Sequence, residues 1–158
     1  MASGGAVRGM QLGTVDETRV ETKHLTLTMS TSAGTVAPGK PVSIYVDVVP
    51  KPKMHVYAPD QTDYIPIELK IETASGFRAQ PIKYPASEQF YFEPLKETQR
   101  VYSKPFRITQ PITVAQNAAA STLTVKGTVR YQACDDAICY LPQTVGVSWK
   151  VVVKRSAR

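Results

Sequence analysis

The sequence predicts an all-β fold, a sandwich or barrel of about seven to nine short strands. Three observations predict it. Apolar and polar residues alternate in stretch after stretch, which is the period of a half-buried strand. Proline and glycine punctuate the gaps, with 12 and 9 of them in 158 residues. No segment carries the i, i+3, i+4 spacing of a convincing amphipathic helix.

Residues 1–22 carry Gly, Ser and charges with little periodicity and read as a flexible lead. Leu25, Leu27 and Met29 alternate through a first strand. Ala37-Pro-Gly-Lys-Pro41 turns the chain, and Val42, Ile44, Val46 and Val48 alternate through a second strand that ends at Pro50. Lys51–Pro59 is a short strand between prolines, and Gln61–Tyr64 is loop. Ile65, Ile67, Leu69 and Ile71 alternate, with Pro66 marking an edge or a strand start. Phe77–Tyr84 reads as extended. Pro85–Pro94 reads as a loop holding three consecutive aromatics, Phe90, Tyr91 and Phe92. Arg100–Ile108 is a strand interrupted by Pro105, and Pro111–Ser121 a connection in which Ala118–Ala120 suit one helical turn. The last two strands, near 122–132 and 140–153, show the strictest alternation, and Trp149 on the second suits a sandwich core. One domain over residues 23–154, followed by a tail at 155–158, accommodates these elements.

Composition narrows the function. Hydrophobic residues make up 42% and charged ones 20% of the chain, as in an ordinary globular protein. The net charge of +6 comes from scattered Lys and Arg without interleaved aromatics, which argues against nucleic acid. A mildly basic surface suits acidic partners or a membrane face, or is simply solvated. No apolar run is long enough to span a membrane. Met1-Ala-Ser-Gly-Gly lacks the apolar core of a signal peptide, so the expectation is a cytosolic protein or an excised mature segment.

The chemistry concentrates where the last two strands meet. Cys134 and Cys139 enclose Asp135-Asp136-Ala137-Ile138. If those four residues turn an antiparallel hairpin, the cysteines lie opposite each other, with Cβ atoms roughly 4.5–5.5 Å apart. That is near bridging range. A bridge there closes a very short loop and is a weak staple, roughly 2 kcal/mol against about 4.7 for a hundred-residue loop. Spacing leaves a local staple, a pair of thiols and a redox pair all open. Asp135 and Asp136 make a good turn. Facing the sulfurs, their charges also disfavour a thiolate. Cys134 directly precedes them, so Cys139 is the better nucleophile. His24 and His55 are the only histidines, and His55 reads as a surface or rim residue. A copper or zinc site from His55, Met54 and the cysteines suits the ligand chemistry, but it lacks a paired-histidine motif, so no metal and no cofactor is expected.

Tyr131-Gln132-x-Cys134 followed by Cys139-Tyr140-x-Pro142 resembles the active-site hairpin of the amino-terminal periplasmic domain of DsbD, the thiol:disulfide interchange protein family. Lys51-Pro-Lys-Met-His55-Val-Tyr57 resembles that family's strand beside the active site, and Glu88-Gln-Phe-Tyr91 its aromatic cap loop. The likeness runs over roughly residues 22–153. It departs in two places: the best-known members have one more residue between the cysteines, and a proline where Leu141 stands. The resemblance implies an immunoglobulin-like β-sandwich, a periplasmic location and a redox relay. Such a domain takes electrons from a membrane-embedded domain and passes them to oxidised thioredoxin-like partners. Cys139 then forms the mixed disulfide and Cys134 resolves it. Phe90 and Tyr91 on the loop 86–94 are expected to cover the disulfide and move aside on docking. The bland alternative puts Phe90 and Phe92 in the core and Tyr91 in solvent. The rival functions are a non-catalytic interaction module with a structural disulfide and a metal-binding sandwich. The chain stops at Arg158 without a membrane domain, as an excised fragment or a free-standing relative would.

Overall fold

The computed structural model describes residues 15–155. The first fourteen positions of the expected lead, and residues 156–158 of the tail, lie outside them. In chain order the strands are β1 Val15–Glu21, β2 Leu25–Thr31, β3 Thr35–Val36, β4 Pro41–Pro50, β5 His55–Tyr57, β6 Glu68–Ile71 and β7 Phe77–Ala79. There follow β8 Glu88–Phe92, a 3-10 turn Glu93–Leu95, β9 Glu97–Tyr102, β10 Phe106–Val114, β11 Ser121–Tyr131, β12 Ala133–Cys134 and β13 Gln143–Val153. They form a five-stranded sheet, β1-β2-β4-β10-β7, and two four-stranded ones, β3-β13-β11-β6 and β12-β5-β9-β8.

The fold is the expected all-β, immunoglobulin-like sandwich. The period-two pattern explains its core. Leu25, Leu27, Ile44, Val46 and Val48 are fully buried from one sheet, and Val125, Val129, Trp149 and Val151 meet them from the other. Trp149 also donates its indole N–H to the Tyr45 carbonyl at 2.9 Å, a hydrogen bond from β13 to β4 across the two layers. β11 and β13 pair antiparallel from Ser121–Val153 to Tyr131–Gln143. β13 starts at Gln143 rather than at 140, because Pro142 has no N–H to give the ladder.

Four expectations need correction. Residues 15–21 are not lead but strand β1, since pairing with β2 gives their backbone a partner that a weak hydrophobic pattern does not reveal. The aromatic stretch 88–92 is not loop but strand β8, paired with β9 from Glu88–Val101 to Phe92–Glu97. The strand expected over 100–108 is interrupted at Pro105 as read, but the break takes in Ser103 and Lys104 as well and separates two strands, β9 and β10. Ala118–Ala120 form no helical turn; three residues of good propensity cannot meet the cost of nucleation.

The position of the small third sheet matters most for the site. β11 leaves its own sheet after Tyr131, and the next residues pair with β5 instead, Ala133 with Val56 and Cys134 with His55. The hairpin therefore begins in one sheet and ends in another.

Candidate functional site

Cys134 and Cys139 face each other across an isolated antiparallel bridge with their Cα atoms 4.0 Å apart, and they are joined as a disulfide. The turn between them is Asp135–Ile138, as the spacing predicts. Its geometry is fixed by Asp135. The Asp135 amide donates to the Ile138 carbonyl at 2.9 Å. Its Oδ1 accepts the amides of Ala137 and Ile138 at 2.8 and 2.9 Å, and its Oδ2 accepts the Tyr140 hydroxyl at 2.7 Å. That hydroxyl, followed by the two amides, holds the Asp135 carboxyl down at about 2. Asp136 is exposed.

The two sulfurs sit in unlike surroundings. Cys134 is fully buried, in a small cluster with Tyr57 and Val101 against which Tyr64 and Phe90 pack. Cys139, on the outer arm of the turn, is exposed. The Tyr57 hydroxyl lies 3.3 Å from both sulfurs and is the donor, because a bonded sulfur carries no proton. Burial, and then the charge of Glu97, raise the Tyr57 phenol. Tyr64 stacks on Tyr57 with centroids 4.7 Å apart, and its hydroxyl donates to Glu97 at 2.5 Å. That bond keeps Tyr64 protonated up to about 12. Gln99 donates to the same carboxylate oxygen at 3.0 Å.

The other expected site residues divide into two groups. His55 belongs to the site but is not a rim residue. It is 2% exposed, because β5 lies between β12 and β9 and its ring packs at a tilt against that of Phe90, with centroids 4.3 Å apart. Burial lowers its pKa. Phe90 and Tyr91 separate: on a strand, neighbours point to opposite faces. Phe90 packs on the Cys134 cluster, while Tyr91 is 55% exposed on the other face. Tyr131 and Tyr140 pack toward His24 and not in the Cys134 cluster. The Tyr131 hydroxyl meets Thr22 at 2.9 Å and His24 Nδ1 at 3.3 Å, and the Tyr140 ring lies 4.7 Å from that of His24. Among the described residues no group of three or more His, Cys, Asp or Glu is placed to hold a metal ion.

Tyr64, Glu97 and Gln99 were not singled out by the sequence. A signal existed for two of them. Glu97 and Gln99 share the parity of buried Val101, and polar residues on the inward face of a strand need partners. Tyr64 lies in a loop, where no periodicity marks it.

Comparison with known proteins agrees with this geometry. No curated protein gives a match. Among solved structures, the N-terminal periplasmic domain of ScsB from Proteus mirabilis superposes with a TM-score of 0.54 at 13% identity, over 87% of this chain and 51% of that one. The chain thus spans about half of that structure. The N-terminal domain of DsbD from Neisseria meningitidis, in the reduced form, gives 0.47 at 16% identity, over 73% of this chain and 79% of its own. Residues 25–148 match the family described as thiol:disulfide interchange protein DsbD, N-terminal. With its disulfide at the tip of the β11–β13 hairpin, this chain belongs to that family and is a thiol–disulfide exchange domain.

Proposed function

We propose that the chain is a protein-disulfide reductase module of the periplasm. It receives electrons from a membrane-embedded donor and passes them through Cys134 and Cys139 to oxidised thioredoxin-like proteins. The observation that carries the reading is the asymmetry of the disulfide, in which Cys139 is an exposed residue and Cys134 is fully buried. An exchange partner reaches Cys139 and not Cys134, and access decides which sulfur is attacked.

In the reductive direction the Cys139 thiolate attacks one sulfur of the partner's disulfide. A Cys139–partner bond forms and the partner's other sulfur leaves as a thiolate. Cys134 then attacks Cys139 Sγ, the intramolecular bond re-forms, and the partner's remaining sulfur leaves. Two electrons and two protons have moved to the partner. Reduction by the donor is the reverse sequence, begun on Cys139.

Phe90 acts as the cap. It packs against His55 and the cluster around buried Cys134, and it sits on β8, an edge strand of its sheet, where displacement disturbs few neighbours. Equilibration in glutathione buffers tests the function. A relay disulfide exchanges reversibly, at a potential above about −300 mV. A pair that stays oxidised across the accessible range is a structural staple and contradicts the reading.

A further inference from the structure

Resolution of a mixed disulfide requires Cys134 to give up its proton in a fully buried site. An apolar cluster opposes the thiolate and raises a thiol's pKa, so a base close at hand decides the rate. Tyr57 touches both sulfurs, but burial and Glu97 hold its phenol protonated. Gln99 is an amide. Glu97 already accepts from Tyr64 and Gln99, which hold its carboxyl below the ordinary range. Asp135 is committed to the turn and to Tyr140, and Asp136 is exposed.

His55 remains. It is directly opposed to Cys134 in the antiparallel β5–β12 pair. Such side chains leave the sheet on one face, with Cβ atoms roughly 4.5–5.5 Å apart. Its Nε2 is buried and has no hydrogen-bond partner among the described residues. The Phe90 ring packs against it, with centroids 4.3 Å apart.

We propose that His55 accepts the proton of Cys134 in the resolving step, an inference that rests on the relay reading. While the disulfide is intact, its sulfurs are tied to each other and to the Tyr57 hydroxyl. Once Cys139 is joined to a partner, Cys134 Sγ is free to turn about its Cα–Cβ bond toward Nε2. The S–H proton passes to Nε2 and the thiolate attacks Cys139 Sγ. The Cys134–Cys139 bond forms, the Cys139–partner bond breaks, and the partner leaves as a thiolate that takes up the proton from the imidazolium. The groups that face His55 suit this cycle. Burial keeps the ring neutral at rest, while Asp136 and Asp135 of the turn and Glu88 of β8 favour the cation when it forms.

Stopped-flow reaction of the reduced protein with 5,5′-dithiobis(2-nitrobenzoate) separates the steps. The first nitrothiolate leaves as Cys139 is capped, and the second as Cys134 closes the bond. In the wild type, the second phase is expected to be level with pH between the ordinary histidine and thiol values, about 6.5 and about 8.5. In His55→Gln the first phase should be unchanged. The second should slow by on the order of 100-fold at neutral pH, the lower range for a lost general base, and climb about tenfold per pH unit with the thiolate fraction. A wild-type second phase that itself climbs tenfold per unit overturns the proposal, whether or not the variant folds. So does a folded His55→Gln protein with a wild-type second phase. A Cys134→Ser protein that releases no nitrothiolate through Cys139 contradicts the relay instead, so the two failures are distinguishable.

Discussion

Phe90 and Tyr91 are adjacent in sequence and opposite in place. Phe90 is half-buried on the disulfide cluster, and Tyr91 faces solvent. Replacing Phe90 with Ala should therefore speed reduction of the disulfide by dithiothreitol several-fold. It should cost about 1–2 kcal/mol of stability, less than a fully buried phenylalanine. Replacing Tyr91 with Ala should change neither the rate nor the stability. Equal rates for the two variants would remove Phe90 from its covering role. Asp135 makes a second prediction, in pH. Its folded pKa, about 2, lies below the unfolded aspartate value of about 3.9. Its stabilisation is thus complete above about pH 4 and fades as pH falls through the folded value. Thermal unfolding of Asp135→Asn should lose less than the wild type between pH 4 and 2; parallel curves would show that the carboxylate does not hold the turn. At this scale the sequence revealed the cysteines, their opposition and the turn. Two adjacent residues with side chains free to face either way carry no sign of which is inside. His55 misled for the same reason: a lone histidine between Met54 and Val56 does not show that two neighbouring strands will enclose it.

The elements were legible where one face is buried and the other wet. β4, β11 and β13 alternate strictly and form as read, including the antiparallel hairpin around the disulfide. β8 was not legible, because Glu-Gln-Phe-Tyr-Phe between prolines has a loop's composition and gains its order from β9. β1 hid in a polar stretch for the same reason: an edge strand is defined by its neighbour's backbone more than by its own side chains. Two glycines separate pairing from propensity. At Gly127 on β11 an added Cβ would meet the Lys70 carbonyl oxygen of β6 at 2.5 Å, whereas at Gly146 on β13 nothing lies within 4 Å. Gly127→Ala should destabilise by about 1–3 kcal/mol, as overpacked sites do. Gly146→Ala should be neutral or stabilise by a few tenths, through lost freedom of the unfolded chain. Chemical denaturation of both variants checks the pair, and an equal cost at the two sites would contradict the close approach of β6 to β11.

The whole molecule places one long hairpin across two sheets. Its base is anchored in the core, where Trp149 crosses to Tyr45, and its tip crosses to β5, which brings the cysteines beside His55, Tyr57 and Phe90. The fold class was legible because a sandwich is the sum of its alternating strands. The crossing of the tip was not, because it depends on where β5 lies once everything else has packed. That crossing buries Cys134 while leaving Cys139 on the outer arm. In the proposed relay this difference sets the order of reaction, which trapping by single-cysteine variants can read out. Reduced Cys134→Ser and Cys139→Ser proteins are each mixed with an oxidised thioredoxin-like protein and separated without reductant. A mixed disulfide is expected through Cys139 in Cys134→Ser and almost none in Cys139→Ser. Trapping by Cys139→Ser alone would contradict the assignment of roles, and trapping by neither folded protein would contradict the relay.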